Sequence, residues 1–223
     1  LVTTPAGDAV AMVHCNNCTS DINAWANLFK DFADTMGVSL NMGDIFTALF
    51  KKSLEADDDL GNILSYNYFS GEHITGFESG RPLLFREPDS NFNLANFMRV
   101  QLFSCFGALR TGLDILKKEN VAIDKILGHG GFFKTPLVGQ NVLSAVMDTP
   151  VSVMETAGEG GAWGIAVLAS YMINKGEKSL AEFLEDDVFA SQKMITSTAD
   201  EKLKESFNNF MVRYTKGLKV ERA

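Results

Sequence analysis

Two glycine-rich turns, each placed between an apolar segment and a helix, are the parts of this 223-residue chain best suited to hold a ligand. The first follows the short segment Lys-Ile-Leu at residues 125–127 and reads Gly-His-Gly-Gly-Phe-Phe-Lys-Thr-Pro over residues 128–136. The second follows residues 150–153 and reads Gly-Glu-Gly-Gly-Ala over residues 158–162. Glycine lets a ligand approach the bare backbone, and a helix that starts there directs free N–H groups and a positive dipole towards it. The pair of turns therefore predicts a site for an anionic ligand, and a nucleotide is the expected class.

A purely structural role for these glycines is the alternative. Neither turn has the spacing of a P-loop or of the GxGxxG dinucleotide-binding fingerprint. Glycine is also frequent at strand-to-helix turns of α/β proteins in general. Spacing alone leaves both interpretations open.

The sequence Cys-Asn-Asn-Cys at residues 15–18 has the CxxC spacing that redox enzymes and metal sites use. Three cysteines are too few for a disulfide framework. A zinc site needs about four ligands, and the further candidates are His14 and the distant Cys105. We expect structural thiols here, with a redox pair and a metal site as the alternatives.

Two segments that contain aspartate are predicted to have structural roles. Residues 57–59 are three consecutive aspartates, whose carboxylates repel one another, so a solvated loop is predicted rather than a metal site. The pair Gly7-Asp8 lies between β-rich residues 1–4 and 10–14, and a tight hairpin turn explains it more simply than a catalytic role. We therefore assign no catalytic residue and no metal ligand to this chain.

The elements that must position the glycine turns follow from hydrophobic periodicity. Residues 1–15 are predicted to form a hairpin and residues 63–69 a tyrosine-rich strand. Helices are predicted at 21–36, ended by Gly37, at 44–56, at 93–118 and in the acidic and amphipathic tail at 179–187 and 199–216. Strand 124–128, helix 135–147, strand 150–153 and helix 160–173 alternate, which favours a parallel strand pair with a right-handed crossover. Ligands of such sheets bind at the carboxyl ends of the strands.

The order of these segments resembles the C-terminal domain of the FGGY carbohydrate kinases, and xylulokinases look closest. Residues 130–136, followed by a helix, a buried strand and residues 158–169, resemble the adenosine-binding region of that family. Residues 80–85, which read Gly-Arg-Pro-Leu-Leu-Phe, and the helix from Asn93 resemble its second signature. Residues 10–21 resemble the strand and helix start that follow the family's phosphate loop, so the resemblance covers nearly the whole chain.

The resemblance implies an α/β fold of the actin-like, ribonuclease-H-like ATPase group, with a mixed sheet flanked by helices. Residues 1–223 would form one nucleotide-binding domain with residues 179–223 as a helical tail packed on it. The implied reaction is transfer of the γ-phosphate of ATP, with Mg²⁺, to a hydroxyl of a ketose or polyol, of which xylulose is the nearest suggestion. The chain lacks the family's Gly-Thr-Ser phosphate loop, and its sugar-binding domain and catalytic aspartate would lie in an absent N-terminal part. We therefore expect this part alone to be inactive.

The resemblance also implies the nucleotide contacts. They are Gly130, Gly131, Phe132, Lys134, Thr135, Gly160 and Gly161. Gly130 and Gly131 would lie against adenine and ribose, and Lys134 and Thr135 would make polar contacts. Phe132 and Phe133 depart from the small residues of the family turn, and we expect one ring to stack on adenine while the other enters the core.

The same resemblance implies the partners of this chain. The family's phosphate-loop strand lies inside the sheet, so we expect a homodimer or pairing with the protein's own N-terminal part to complete it. A second hypothesis is a non-catalytic, nucleotide-responsive interaction module of the actin-like fold. A third is a redox or zinc module built on Cys15 and Cys18.

Composition limits the remaining classes. A hydrophobic content of 46% allows a sizeable core. The net charge of −8 and the isoelectric point near 4.9 argue against a nucleic-acid surface, which needs clustered lysine and arginine. No apolar run approaches the ~20 residues that span a bilayer, and the first residues lack the pattern of a signal peptide. The expected location is the cytoplasm.

Overall fold

The structure, a computed structural model, describes residues 2–10, 14–155, 160–198 and 200–222. Its strands are β1 (Val2–Thr3), β2 (Ala9–Val10), β3 (Leu64–Tyr66), β4 (Leu83–Phe85), β5 (Ile126–Gly128), β6 (Val151–Met154) and β7 (Met194–Ser197). Its α-helices are α1 (Ser20–Thr35), α2 (Met42–Lys52), α3 (Leu94–Ser104), α4 (Gly107–Lys118), α5 (Val138–Met147), α6 (Gly160–Asn174), α7 (Leu180–Phe183) and α8 (Glu201–Glu221). Four 3-10 turns, at Ser53–Glu55, Leu60–Asn62, His73–Thr75 and Gly131–Phe133, and a π turn at Leu184–Val188 connect them.

The sheet that carries the first glycine turn contains β5, β6 and β7 in that order. β5 and β6 are parallel, with Ile126 opposite Val151, and α5 connects them, which confirms the predicted strand–helix–strand unit. β7 pairs with β6 in the antiparallel sense, and Val151 lies opposite Ser197. α5 packs on β6 and β7 and contacts α3, α4 and α8. The sheet is therefore mixed, and the first glycine turn leaves it at the carboxyl end of β5.

The two other strand pairs are hairpins. β1 and β2 are antiparallel, and Gly7 adopts φ +96° in the turn between them, so the turn predicted at Gly7 and Asp8 is confirmed. The predicted continuation of β2 falls on residues 11–13, which lie outside the described residues. β3 pairs with β4 and ends at Tyr66, three residues earlier than predicted.

The single helix predicted at residues 93–118 is wrong, because the structure has two helices, α3 and α4, with a break at Cys105 and Phe106. At the break, the Phe106 amide bonds to the carbonyl of Phe103, three residues back, at 3.0 Å. A Cβ added at Gly107 would overlap the ring of Tyr214, so the close approach of α8 requires glycine there. Glycine at position 107 therefore allows α8 to pack closely against the start of α4.

The two N-terminal helices differ little from the prediction. α1 ends at Thr35, and Gly37 follows with φ +77°. α2 ends at Lys52, earlier than predicted, and gives way to the 3-10 turn Ser53–Glu55. No helix within residues 2–10, 14–155, 160–198 and 200–222 is both long and apolar enough to cross a membrane.

One part of the core lies between α3, β3 and α8. The side chains of Tyr66, Tyr68 and Tyr214 are fully buried. The hydroxyl of Tyr66 donates to the carbonyl oxygen of Tyr214 at 2.6 Å, and the hydroxyls of Tyr68 and Tyr214 lie 2.7 Å apart. Phe103 of α3 packs edge-on against Phe207 of α8, with ring centroids 5.1 Å apart. These contacts fix α8 on the first hundred residues of the chain.

Candidate functional site

A cavity of about 780 Å³ opens between α1, α2 and the first glycine turn. Its volume lies within the roughly 300–1,000 Å³ typical of sites for small molecules and nucleotides. The described residues that line it are Cys18, Thr19, Ile22, Asn23, Gly43, Asp44, Phe46, Thr47, Phe50, His129, Gly131, Phe132, Lys134 and Thr135. Four of the seven contacts predicted for a nucleotide are among them.

The glycine turn presents bare backbone to the cavity. Gly130 has φ +101° and ψ 178°, a conformation that side-chain-bearing residues rarely adopt. Gly131 follows at the start of the 3-10 turn, and a Cβ added there would have no atom within 4 Å. Lys134 is exposed at the cavity, whereas Thr135 is buried. A ligand can therefore approach the chain at Gly131 with polar groups on both sides.

Phe132 anchors this turn in the core. Its ring lies edge-on to Phe106 at 5.0 Å and to Phe50 of α2 at 5.6 Å. Phe133 is half-buried and packs against Phe132, with ring centroids 5.5 Å apart. Phe132 is thus the ring that enters the core while it also lines the cavity, and Phe46 of α2 supplies a further, half-buried aromatic ring at the cavity wall.

The second glycine turn contributes differently. Residues 158 and 159 lie outside the described residues, and Gly160 begins α6. Gly161 is exposed, and a Cβ added there would meet no atom within 4 Å. Gly161 is not among the described residues that line the cavity, and neither is Gly130.

Two helix N-termini open onto the cavity, but they are not the ones that the glycine turns suggested. α5 begins only at Val138, three residues later than predicted. The cavity instead meets the first turn of α1, where Thr19 is the N-cap residue without a side-chain hydrogen bond, and that of α2. Free N–H groups and the helix dipole favour an anion at such ends. The sequence analysis did not anticipate these two helix ends at the cavity, and the anionic site stays a prediction.

A hydrogen-bond network holds the start of α1 at the cavity. The fully buried carboxylate of Glu72 accepts hydrogen bonds from the backbone N–H of Asn16 at 2.9 Å and of Asn17 at 3.2 Å. The side-chain oxygen of Asn17 accepts from the backbone N–H of Phe69 at 2.8 Å and of Ser70 at 3.0 Å. The segment between the two cysteines is therefore fixed to the loop that follows β3.

The α2 wall has a local signal that could have been found in the sequence. Asn41 is followed three residues later by Asp44, and its side-chain oxygen accepts from the Asp44 backbone N–H at 2.9 Å. This N-cap places the helix start at Met42, two residues before the predicted start, and brings Gly43 and Asp44 to the cavity. The side chains of Phe46 and Thr47 follow on the same helix.

The cysteines are in three different environments. Cys18 is exposed at the cavity, Cys15 is half-buried and Cys105 is buried, and all three are free thiols. A hydrogen bond from the Cys105 thiol lowers the pKa of Cys18, and burial raises the pKa of Cys105 well above its usual range. Burial, with the nearby Glu72 carboxylate, raises the pKa of Cys15 to about 11. Across the described ranges, no group of three or more His, Cys, Asp or Glu side chains is arranged to hold a metal ion.

Comparison with known proteins finds one matching family and several similar structures. The model of the FGGY family of carbohydrate kinases, C-terminal domain, matches residues 1–173. No curated protein sequence matches the chain. The solved xylulose kinase from Lactobacillus acidophilus is 16% identical with a TM-score of 0.68, and the alignment covers 94% of this chain and 39% of that one.

A solved gluconate kinase and a solved glycerol kinase also have similar structures. Gluconate kinase from Lactobacillus acidophilus is 15% identical with a TM-score of 0.59, over 77% of this chain and 34% of that one. Plasmodium falciparum glycerol kinase, solved with ADP, is 16% identical with a TM-score of 0.56, over 79% of this chain and 33% of that one. The chain spans about two fifths or less of these proteins. The likeness shows the fold, which is the predicted actin-like, ribonuclease-H-like α/β fold.

Proposed function

The chain belongs to the FGGY family of carbohydrate kinases, and on that basis we propose that it carries the adenosine pocket of an ATP-dependent sugar kinase. The observation that supports this most directly is the cavity in which the glycine turn at Gly131 faces the N-termini of α1 and α2. The cavity combines a bare backbone, apolar rings and N–H groups, which are the features that a nucleotide requires.

The apolar wall suits the base and the polar wall suits the ribose. Ile22, Phe46 and Phe50 offer an apolar surface against which a purine can pack. Gly131 lets the sugar approach the backbone, and the buried Thr135 hydroxyl lies at the same wall. We keep Gly130, Gly160 and Gly161 as further proposed contacts because the family resemblance assigns them.

Phosphate groups are expected at the helix ends. The N-terminus of α1, whose N-cap residue Thr19 makes no side-chain hydrogen bond, favours negative charge, and the exposed Lys134 side chain adds a positive charge at the cavity. Bound Mg-ATP supplies the transferable phosphoryl group and the metal that neutralises phosphate charge. The role of this chain is to position that nucleotide, since we propose that the catalytic aspartate and the Gly-Thr-Ser phosphate loop belong to an N-terminal part.

The acceptor is proposed to be a ketose or polyol, with xylulose as the first substrate to test. The similar structures include kinases of xylulose, gluconate and glycerol, which are all polyhydroxylated molecules. We further propose that residues 1–223 act as one nucleotide-binding domain with residues 179–223 as its tail. Its proposed partner is the protein's own N-terminal part or a second copy, and its proposed location is the cytoplasm.

Calorimetric titration of the chain with Mg-ADP tests the pocket. We expect binding with a Kd in the micromolar to millimolar range, abolished by Gly131→Trp. That indole would enter the cavity without meeting protein atoms near its Cβ. Ile173→Trp is the control, because Ile173 is 83% exposed at the opposite end of α6 from the proposed contacts Gly160 and Gly161. A folded chain that ignores Mg-ADP, or equal binding by both variants, would contradict the proposed pocket.

One observation favours the second candidate, a nucleotide-responsive interaction module without chemistry of its own. α6 is apolar, yet Ile165, Met172 and Ile173 are 69%, 78% and 83% exposed. Such a surface is typical of an interaction site. The two candidates are separated by a phosphoryl-transfer assay with ATP and xylulose, gluconate or glycerol, made on this chain joined to its N-terminal part. Turnover requires the kinase, whereas nucleotide binding without turnover favours the module.

A further inference from the structure

Two cysteines that are far apart in sequence meet beside the cavity, where Cys18 lines the wall and Cys105 is buried behind it. Cys18 is an exposed residue that lines the cavity two residues before the start of α1. Cys105 lies at the break between α3 and α4, where its thiol donates a hydrogen bond to the carbonyl oxygen of Cys18 at 2.9 Å. The Asn67 side chain donates to the same oxygen at 2.6 Å. The CxxC spacing suggested a pair formed by Cys15 and Cys18, but the structure brings Cys105 to Cys18 instead.

The three thiols differ in their pKa values because their environments differ. The Cys105 sulfur lies 2.9 Å from the Cys18 carbonyl oxygen, and a hydrogen bond from the Cys105 thiol lowers the pKa of the Cys18 thiol. Burial raises the pKa of Cys105, so this sulfur remains a protonated donor. The pKa of Cys15 is raised to about 11. Because the thiolate is the nucleophile, Cys18 is the attacking group of the three.

We propose that Cys18 and Cys105 form an oxidisable dithiol in the cavity wall, and that hydrogen peroxide converts it to a disulfide which weakens nucleotide binding. The Cys18 thiolate attacks one peroxide oxygen, the O–O bond breaks, and a sulfenic acid and, after protonation, water result. The Cys105 sulfur then attacks the Cys18 sulfur and expels hydroxide, which takes up the Cys105 proton and leaves as a second water. The two thiols are oxidised by two electrons, and one peroxide is reduced to two waters.

The expected effect on the cavity follows from the bonds that the reaction changes. Oxidation consumes the thiol proton that Cys105 donates to the Cys18 carbonyl. It also draws the Cys18 sulfur from the rim towards the α3–α4 break. Thr19 and the first turn of α1 come directly after Cys18 and line the cavity, so their N–H groups move with it. This effect on nucleotide binding rests on the proposed function, whereas the dithiol itself does not.

Thiol reactivity tests the pair without any nucleotide. The reduced chain is treated with limiting iodoacetamide, and the alkylated peptides are quantified by mass spectrometry. Cys18 is expected to react at least tenfold faster than Cys15 or Cys105. Cys105→Ala should slow Cys18 by roughly three- to tenfold, because one charge-assisted hydrogen bond is lost. Cys105→Ser, which keeps a donor, should restore most of the rate. Equal rates for the three cysteines in the wild-type chain would overturn the proposal.

Peroxide treatment tests the disulfide. We expect one crosslink between the peptides that contain Cys18 and Cys105, formed equally in Cys15→Ser and reversed by dithiothreitol. A Cys15–Cys18 crosslink, or stable sulfenic acid alone, would refute the pairing. Mg-ADP titrations of the reduced and oxidised chains then test the effect of the disulfide on nucleotide binding separately from the proposed function. Binding by the reduced chain that is at least fivefold weaker after oxidation supports the whole proposal. Unchanged affinity overturns the effect on binding, and no binding even by the reduced chain counts against the proposed function instead.

Discussion

The buried carboxylate of Glu72 offers the sharpest test of how the cavity is held in place. It lies outside the cavity, yet one of its oxygens accepts from the backbone N–H of Asn16 and Asn17 at 2.9 and 3.2 Å and from the Asn17 side chain at 3.3 Å. Its other oxygen has no hydrogen-bond partner among the described residues. Glu72→Gln keeps the shape and one acceptor oxygen, but the three hydrogen bonds lose the carboxylate charge.

The expected loss of unfolding free energy follows from the number of hydrogen bonds that Glu72 accepts. A hydrogen bond to a charged group contributes about 1.5–3 kcal/mol and a neutral one about 0.5–1.5 kcal/mol. Some of this loss is offset because a buried charge no longer has to be desolvated. We therefore expect Glu72→Gln to lower the free energy of unfolding by about 1–3 kcal/mol, measured by urea denaturation. Glu78→Gln is the matched control, since Glu78 is exposed and belongs to the same loop region.

A local measurement decides whether the effect reaches the site. Hydrogen exchange at the amides of Asn16 and Asn17 should accelerate in Glu72→Gln more than exchange in α8, and Mg-ADP affinity should fall as the start of α1 loosens. A stability loss below about 0.5 kcal/mol, or exchange that accelerates evenly throughout the chain, would refute the view that this carboxylate positions the cavity wall.

Three further outcomes are expected. Burial raises the pKa of Asp21 in the folded chain, so the ionised carboxylate destabilises the fold at pH values above this pKa, and the effect disappears below the pKa of the unfolded chain. Asp21→Asn should therefore stabilise the chain more at about pH 7 than at about pH 4. A stability difference in denaturation that does not change with pH would contradict this. Gly107→Ala should cost about 1–3 kcal/mol in the same assay, because the added methyl overlaps Tyr214, and a neutral result would show that α8 can shift. Lys134→Met should weaken Mg-ADP binding by roughly three- to tenfold but leave adenosine binding unchanged. If calorimetry shows equal losses of affinity for both ligands, Lys134 does not contact phosphate.

Local patterns predicted the elements that depend on local residues. β5, α5 and β6 follow from short apolar runs and from glycine at the turn, and Gly37 marks the end of α1 as expected. β7 was missed because its four residues, Met194–Ser197, form too short and too exposed a run to stand out. It is held by distant groups, since the Gln140 side chain donates to the carbonyl of Ile195 at 2.9 Å. The close packing at Gly107, just after the break between α3 and α4, likewise involves Tyr214, more than a hundred residues away.

The same division explains the site. Gly131, Lys134 and Thr135 could be found because they lie in one short turn with a recognisable order. The opposite wall could not, because the start of α1 reaches the cavity through bonds from Asn16 and Asn17 to Glu72, 55 or 56 residues later in the chain. The sequence likewise suggested Cys15 as the partner of Cys18, because Cys105 is far from Cys18 along the chain. Separation along the chain, rather than residue type, set the limit of the sequence reasoning.

The tyrosine contacts of α8 have a consequence for synthesis on the ribosome. The hydrogen bond from Tyr66 to Tyr214 joins residues 148 positions apart. At a translation rate of about 5–20 residues per second, Tyr66 therefore waits roughly 7–30 s for its partner to be made. During that delay the apolar face of β3 and α3 is exposed to solvent and to other nascent chains. Folding of this protein is consequently expected to finish only near the end of translation, and holding chaperones should associate with it until α8 emerges.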